Sequence, residues 1–153
     1  MKTTALRLAE HIIYLAKENN KNITNLGLRS VLYHLWVEYY RSYKEYLFDE
    51  SFYAWQLGTV VPEVYYEYCL WTAHDLQPHY SFEEAPISNE ELRSRIDSTI
   101  IELLSKNTYE LYTMNFASKA WKERRELYTK YHSDGEMSFA RIIALDVRED
   151  TGQ

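Results

Sequence analysis

Five side chains able to hold a divalent ion fall close together in mid-chain: His74, Asp75, His79, Glu83 and Glu84. Imidazole nitrogen and carboxylate oxygen suit zinc or a related ion, and a metal-bound water would supply a hydrolytic nucleophile. Their spacing matches no established metal motif, and no helical His-x3-His pair occurs among them. Solvated loop side chains are the plainer reading, so no metal is expected. A metal-dependent hydrolase built on His74, Asp75 and His79 stands as an alternative. The single cysteine, Cys69, would need a base and an electropositive, partly open setting to act as a nucleophile. It sits between Tyr68 and Leu70 in an apolar stretch, where a small buried residue is the plainer role. Neither G-x-G-x-x-G nor G-x-x-x-x-G-K-[ST] is present, so no phosphate-cradling loop is encoded. Glu83-Glu84 and Glu90-Glu91 read as solvated charge and helix caps. No enzyme signature survives, and neither a catalytic residue nor a cofactor is expected.

Recognition chemistry is better represented. Nine of the fifteen tyrosines fall between Tyr33 and Tyr68, in company with Trp36, Phe48, Phe52 and Trp55. Tyrosine and tryptophan join a large apolar area to a polar handle, and both are enriched at interface hot spots. In the pairs Tyr39-Tyr40 and Tyr65-Tyr66 the two side chains cannot both point inward from one helix, so one of each pair belongs near the surface. Tyrosines that merely edge a core with their hydroxyls in water are the competing reading. A basic stretch follows in Lys119, Lys122, Arg124, Arg125 and Lys130, with Trp121 among them. Glu123 and Glu126 interleave, which suits a solvated helix face with pairs three and four apart. An acidic or aromatic protein partner fits this stretch better than nucleic acid does.

The elements that must carry these residues are mainly helical. The chain has 153 residues, which sets one domain as the expectation. It is 46% hydrophobic and 26% charged, the balance of a globular protein rather than a disordered one. The formal charge of −6 gives no overall attraction to nucleic acid or to an anionic membrane. Only four glycines and three prolines punctuate the chain, which favours helices over short strands. One cysteine allows no intrachain disulfide and suits a reducing compartment. Lys2 precedes an apolar stretch, but Arg7, Glu10 and His11 interrupt it, so neither a leader nor a membrane span is expected and the protein is placed in the cytoplasm.

Apolar residues at helical spacing predict helices over 3–18 and from Thr24 to about Tyr43, the second burying Leu28, Val31, Leu32, Leu35, Trp36 and Tyr39. Tyr46-Leu47-Phe48 and Ser51 to Leu57, on either side of Asp49-Glu50, predict a small β-hairpin ended by Gly58. Pro62 fits the first turn of another helix, with Val61, Val64, Tyr65, Tyr68 and Trp71 on one face. His74 to Pro86 reads as a loop. Ser88 is expected to cap a helix burying Leu92, Ile96, Thr99, Ile100 and Leu103, and Thr108 to cap a short one through Met114. Further helices are expected at 118–131 and 137–145. The fold class is therefore all-α, a single mainly helical domain over residues 1–153, with room for one small hairpin around residues 46–57.

Two stretches resemble a known family. Leu26 to Tyr33, LGLRSVLY, resembles the "LkLqKLLYY" helix of the Panacea antitoxin domain, also called the SocA-like or GepA-like phage-associated family. Leu47-Phe48 and the run FYAWQLGTVVPEVY, from Phe52 to Tyr65, resemble its central Ala-Trp-x-x-Gly-Pro-Val-Val-Pro-x-Val-Tyr segment. Leu111 to Trp121 only echoes its third element. The likeness spans roughly residues 5 to 145. Thr59 stands where the family has Pro, Ser30 where it has Lys, and Met114 where its His is expected.

The resemblance implies a divergent antitoxin that binds and neutralises a toxin encoded beside it, one branch of the family acting as an adaptor that hands its toxin to a protease. It implies no catalysis. Tyr33, Trp55, Gly58, Val61, Pro62 and Tyr65 are then motif residues with structural roles: Gly58 permits a sharp turn, Pro62 starts a helix, and Trp55 anchors the turn to the core. Contact with the partner is expected from Tyr40, Tyr43, Tyr66, Lys119, Lys122 and Arg125, which lie on helix faces. A phage or prophage protein that inhibits a host system by binding is the alternative partner reading.

Overall fold

The computed structural model describes residues 2–69, 84–131 and 135–148, with backbone alone at 128–131. It is mainly helical with a small hairpin, as the sequence predicts, and the hairpin belongs to a three-stranded antiparallel sheet. Helix α1 (Ala5–Glu18) begins where the Thr4 hydroxyl accepts from Arg7 N–H, and α2 (Asn25–Tyr43) where Thr24 does the same for Gly27. Each cap satisfies one of the donors that a helix start leaves open. Lys44 closes α2 in the left-handed conformation, its N–H bonded to the Tyr40 carbonyl.

α2 is the central element. Its expected stripe is buried along its whole length, and Tyr33 is buried with it. Against it pack α1, α4 (Glu90–Leu104), α5 (Thr108–Met114) and a π-helical turn at Ile143–Val147. Helix α6 (Lys119–Tyr131) lies on the sheet instead. α3 (Pro62–Tyr68) starts with Pro62 in its first turn as expected and packs on α1.

The hairpin exists but is displaced from its expected arms. β1 (Phe52–Trp55) pairs antiparallel with β2 (Gly58–Val60), leaving Gln56 and Leu57 as the turn. Gly58 does not end the hairpin; it opens the second strand, opposite Trp55, with φ +109°. Tyr46-Leu47-Phe48 is not a strand because its backbone is occupied elsewhere. The Leu47 carbonyl accepts from Thr3 N–H and the Phe48 carbonyl from the Trp36 indole, while both side chains are fully buried. A third strand unseen in the sequence, β3 (Glu136–Met137), pairs with β1 on its other edge, so the order is β2-β1-β3.

Two caps sit one residue from their expected positions. Asn89, not Ser88, accepts from Leu92 N–H at the start of α4. Asn107, not Thr108, starts α5, and Glu110 returns the bond to its N–H. In both cases the asparagine amide oxygen takes the open donor, while the neighbouring hydroxyl residue stays outside the helix or enters it. Thr99 is half-buried rather than buried. The helix expected over 137–145 divides into the end of β3, a short α7 (Phe139–Ile142) and the π-helical turn. Among the described helices none is long and apolar enough to cross a membrane.

Candidate functional site: an aromatic face at the hairpin

The first residues to place are the metal candidates. His74, Asp75, His79 and Glu83 lie outside the described residues, and Glu84 is exposed. Among the described residues no three possible ligands come together. Cys69 is half-buried at the end of α3 and not in the core, its thiol directed at the Tyr66 carbonyl 3.7 Å away.

The histidine that matters to the structure is one the metal reading passed over. His11 on α1 is fully buried; its Nδ1 accepts from Ile87 N–H at 3.3 Å and its Nε2 meets the Asp97 carboxylate on α4 at 2.9 Å. Because Nδ1 accepts, the proton sits on Nε2, and the ring ties the start of α4 to α1. It is satisfied on both sides and joins elements.

Asp146 plays a similar role at the other end of the fold. It is 7% exposed, and the π-helical turn directs it at the N-terminus of α6. Its carboxylate accepts from Lys119 N–H at 2.8 Å, Ala120 N–H at 3.4 Å, the Ser118 hydroxyl at 2.6 Å and the Tyr33 hydroxyl. Arg41 holds the same turn by its backbone, donating to the carbonyls of Asp146 at 2.9 Å and Val147 at 3.2 Å. An anion against open helix donors is favoured by the helix dipole as well as by the bonds themselves. Nothing in the sequence near Asp146 signals this. Tyr33, a motif residue, therefore has a structural task.

Three of the expected contact residues gather around the hairpin. Trp55 packs edge-on to Tyr65 with ring centres 5.1 Å apart, and Tyr65 packs the same way on Tyr66 at 5.4 Å. Tyr66 on α3 is 68% exposed, and Leu57 at the hairpin turn, two residues from Trp55, is exposed as well. From α6, Arg125 donates to the Ala54 carbonyl at 3.3 Å, and the Trp121 indole to the Trp55 carbonyl at 2.8 Å. The ring series continues from Trp121 to Phe116 and Tyr112. Lys122 is exposed on α6 three residues before Arg125, hence on the same side of that helix. Lys119 is exposed one further turn back. Trp55 thus does not anchor the turn to the core as expected. It is half-buried, and what it secures is an outer layer shared by the hairpin, α3 and α6.

Tyr40 and Tyr43 belong elsewhere. Tyr40 is half-buried and stacks on Trp36 with ring centres 5.8 Å apart, at the edge of the core. Tyr43 is 38% exposed, but the Arg95 guanidinium covers its ring from 4.3 Å. Tyr40 lies eleven residues along α2 from Arg29, about 16 Å at helical rise, so the two groups form separate patches.

Arg29 is the residue that the sequence did not single out. It projects from α2 over the Tyr65 ring, its guanidinium carbon 5.3 Å from the ring centre. Burial pushes its pKa below the usual arginine value, and the Tyr65 phenol partly offsets this. Its Nε is buried without a hydrogen-bond partner.

No family model matches the chain, and no curated protein or solved structure matches it either.

Proposed function

We propose that the chain is a non-catalytic, cytoplasmic binding protein of the antitoxin kind, which neutralises a small protein toxin encoded beside it by direct contact. The observation that carries this is the hairpin face. Tyr66, Tyr65 and Trp55 form a continuous ring-rich surface, with Leu57 exposed at the same hairpin's turn and Arg125 of α6 bonded to the strand beside Trp55. Rigid aromatic side chains with polar tips beside arginine are what interface hot spots are made of. A stable complex needs about 1,200–2,000 Å² of total buried surface, and the hairpin, α3 and α6 together offer a platform on which to build it. The likeness of Leu26–Tyr33 and Phe52–Tyr65 to the Panacea antitoxin domain supports the same reading, because the second of these stretches supplies most of this face.

The test is co-expression of the tagged protein with the product of the adjacent gene, with growth recorded with and without it. A stable complex together with restored growth is the expected result. Absence of both a complex and any toxicity would sink the antitoxin role and move the search to a host protein. Within the complex, Tyr66→Ala is expected to leave stability within about 0.5 kcal/mol, since the ring is largely in water. The same change is expected to weaken capture of the partner about tenfold or more, as a hot-spot truncation does. Tyr43→Ala, on the separate patch, is the control and should leave capture unchanged.

A further inference from the structure

We infer that Arg29 is the receptor for a partner carboxylate: the hairpin face binds an acidic segment of protein chain, an Asp or Glu side chain docking on the Arg29 guanidinium while a neighbouring apolar side chain packs on Trp55, Tyr65 and Tyr66. This deepens, and rests on, the binding role proposed above.

Three observations carry it. Arg29 is half-buried, and its guanidinium lies over the Tyr65 ring with its carbon 5.3 Å from the ring centre. No acceptor among the described residues takes a hydrogen bond from it, and Nε is buried and orphaned. Among the described residues, half-buried Arg41 bonds two carbonyls, Arg93 bonds Asp97, Arg95 bonds Glu45 and Glu91, and Arg125 bonds the Ala54 carbonyl. Arg124 shares with Arg29 a buried Nε that makes no hydrogen bond, but it has another interaction and does not lie over the aromatic face. A buried donor without an acceptor is costly, and a desolvated cation more so. A guanidinium carries a planar fork of donors that a carboxylate matches with two parallel bonds.

Charge and shape choose the occupant. A nucleic acid would need a row of phosphate contacts, whereas the protein carries −6 overall and the nearest cationic helix alternates with Glu123 and Glu126. One fork in an aromatic setting reads one carboxylate next to one apolar group. The occupant is therefore a peptide segment in which an acidic residue adjoins an aromatic or aliphatic one.

The test uses the full chain and a phage-displayed library of random dodecapeptides, followed by titration of the synthesised winners. Selected sequences are expected to carry Asp or Glu beside an apolar residue. Their Asn or Gln twins should bind at least tenfold more weakly, and Arg29→Met should lose at least tenfold while melting as the parent does. Arg29→Lys keeps the charge without the fork and should fall between. If Arg29→Met proves unstable, Tyr66→Ala serves instead, with an expected loss of several-fold. Failure to enrich any sequence, enrichment without acidic residues, or equal binding by Arg29→Met would each overturn the assignment. Tighter, steeply salt-dependent binding of a twelve-nucleotide single-stranded DNA would overturn it in favour of a nucleic-acid surface. Should the growth assay fail while peptides still discriminate Arg29→Met, the carboxylate site stands and the antitoxin role falls; the converse outcome removes the site alone.

Discussion

Asp146→Ala lowers the unfolding free energy by about 3–5 kcal/mol, the scale set by breaking a buried, charged hydrogen-bond cluster. The alanine leaves the Tyr33 and Ser118 hydroxyls without their acceptor and reopens two N–H donors at the start of α6. It also removes a negative charge from a helix N-terminus, where it is favourable. Tyr33→Phe takes away one donor and leaves the carboxylate its other three, so its cost is about 1 kcal/mol. Asp146→Asn is no rescue, because the amide points hydrogens at groups that are themselves donors. Urea unfolding followed by circular dichroism measures all three. A loss for Asp146→Ala no larger than that for Tyr33→Phe would show that water replaces the carboxylate, and the clamp would not exist.

Gly58→Ala is the second large effect, about 3 kcal/mol or more, from two sources that add. The residue holds φ at +109°, a conformation that L side chains rarely adopt and that costs about 1–3 kcal/mol. A Cβ there would also stand 2.8 Å from the Asn115 Cβ and 2.9 Å from its Cγ. Asn115 is buried and has little room to retreat, since its amide donates to the Leu26 carbonyl and its oxygen faces the Thr59 hydroxyl. A chain of this length loses about 2–4 °C of melting temperature per kcal/mol, so a drop of about 6–12 °C is expected in a thermal scan. Gly58→Ala combined with Asn115→Gly should recover part of that loss beyond additivity, because only the collision is relieved. Strict additivity of the two changes would mean that strain at φ accounts for all of it.

The helical frame was legible wherever a cap residue directly precedes an apolar repeat. Thr24 before Leu28, Val31 and Leu32 announces α2 without ambiguity, and Pro62 announces α3. Legibility failed where distant groups compete for the backbone. Residues 46–48 form an aromatic-rich segment before a polar turn and so read as a strand, yet Thr3 and Trp36 claim the carbonyls of Leu47 and Phe48, and the second partner of β1 comes from residues 136–137. Short polar runs such as Ser88-Asn89 and Asn107-Thr108 hold two capable caps side by side, and local pattern does not choose between them.

The candidate site divides along the same line. Tyr66 and Arg125 could be placed at a surface from helix geometry alone, and they flank one hairpin. Tyr40 looked equivalent to Tyr66 but stacks on Trp36, because its surroundings are fixed by the bend after Lys44 that brings Tyr46 back within 5.9 Å. Arg29 gave no signal because what distinguishes it is a missing acceptor, and a pattern of residue types does not encode an absence.

The segment 135–148 closes the sheet through β3, covers Trp36 with Phe139 at a ring separation of 4.7 Å, and caps α6 with Asp146. In a chain emerging from the ribosome all three arrive after α1 to α6. Until residue 148 is free, the outer edge of β1 and the indole of Trp36 stay open, and the early helices α1 and α2 have only part of their core. The folded domain thus forms only once residues 135–148 have joined it, and not gradually as the earlier helices appear. A chain that stalls before residue 148 keeps that strand edge and that indole exposed, a form that quality-control proteases readily take.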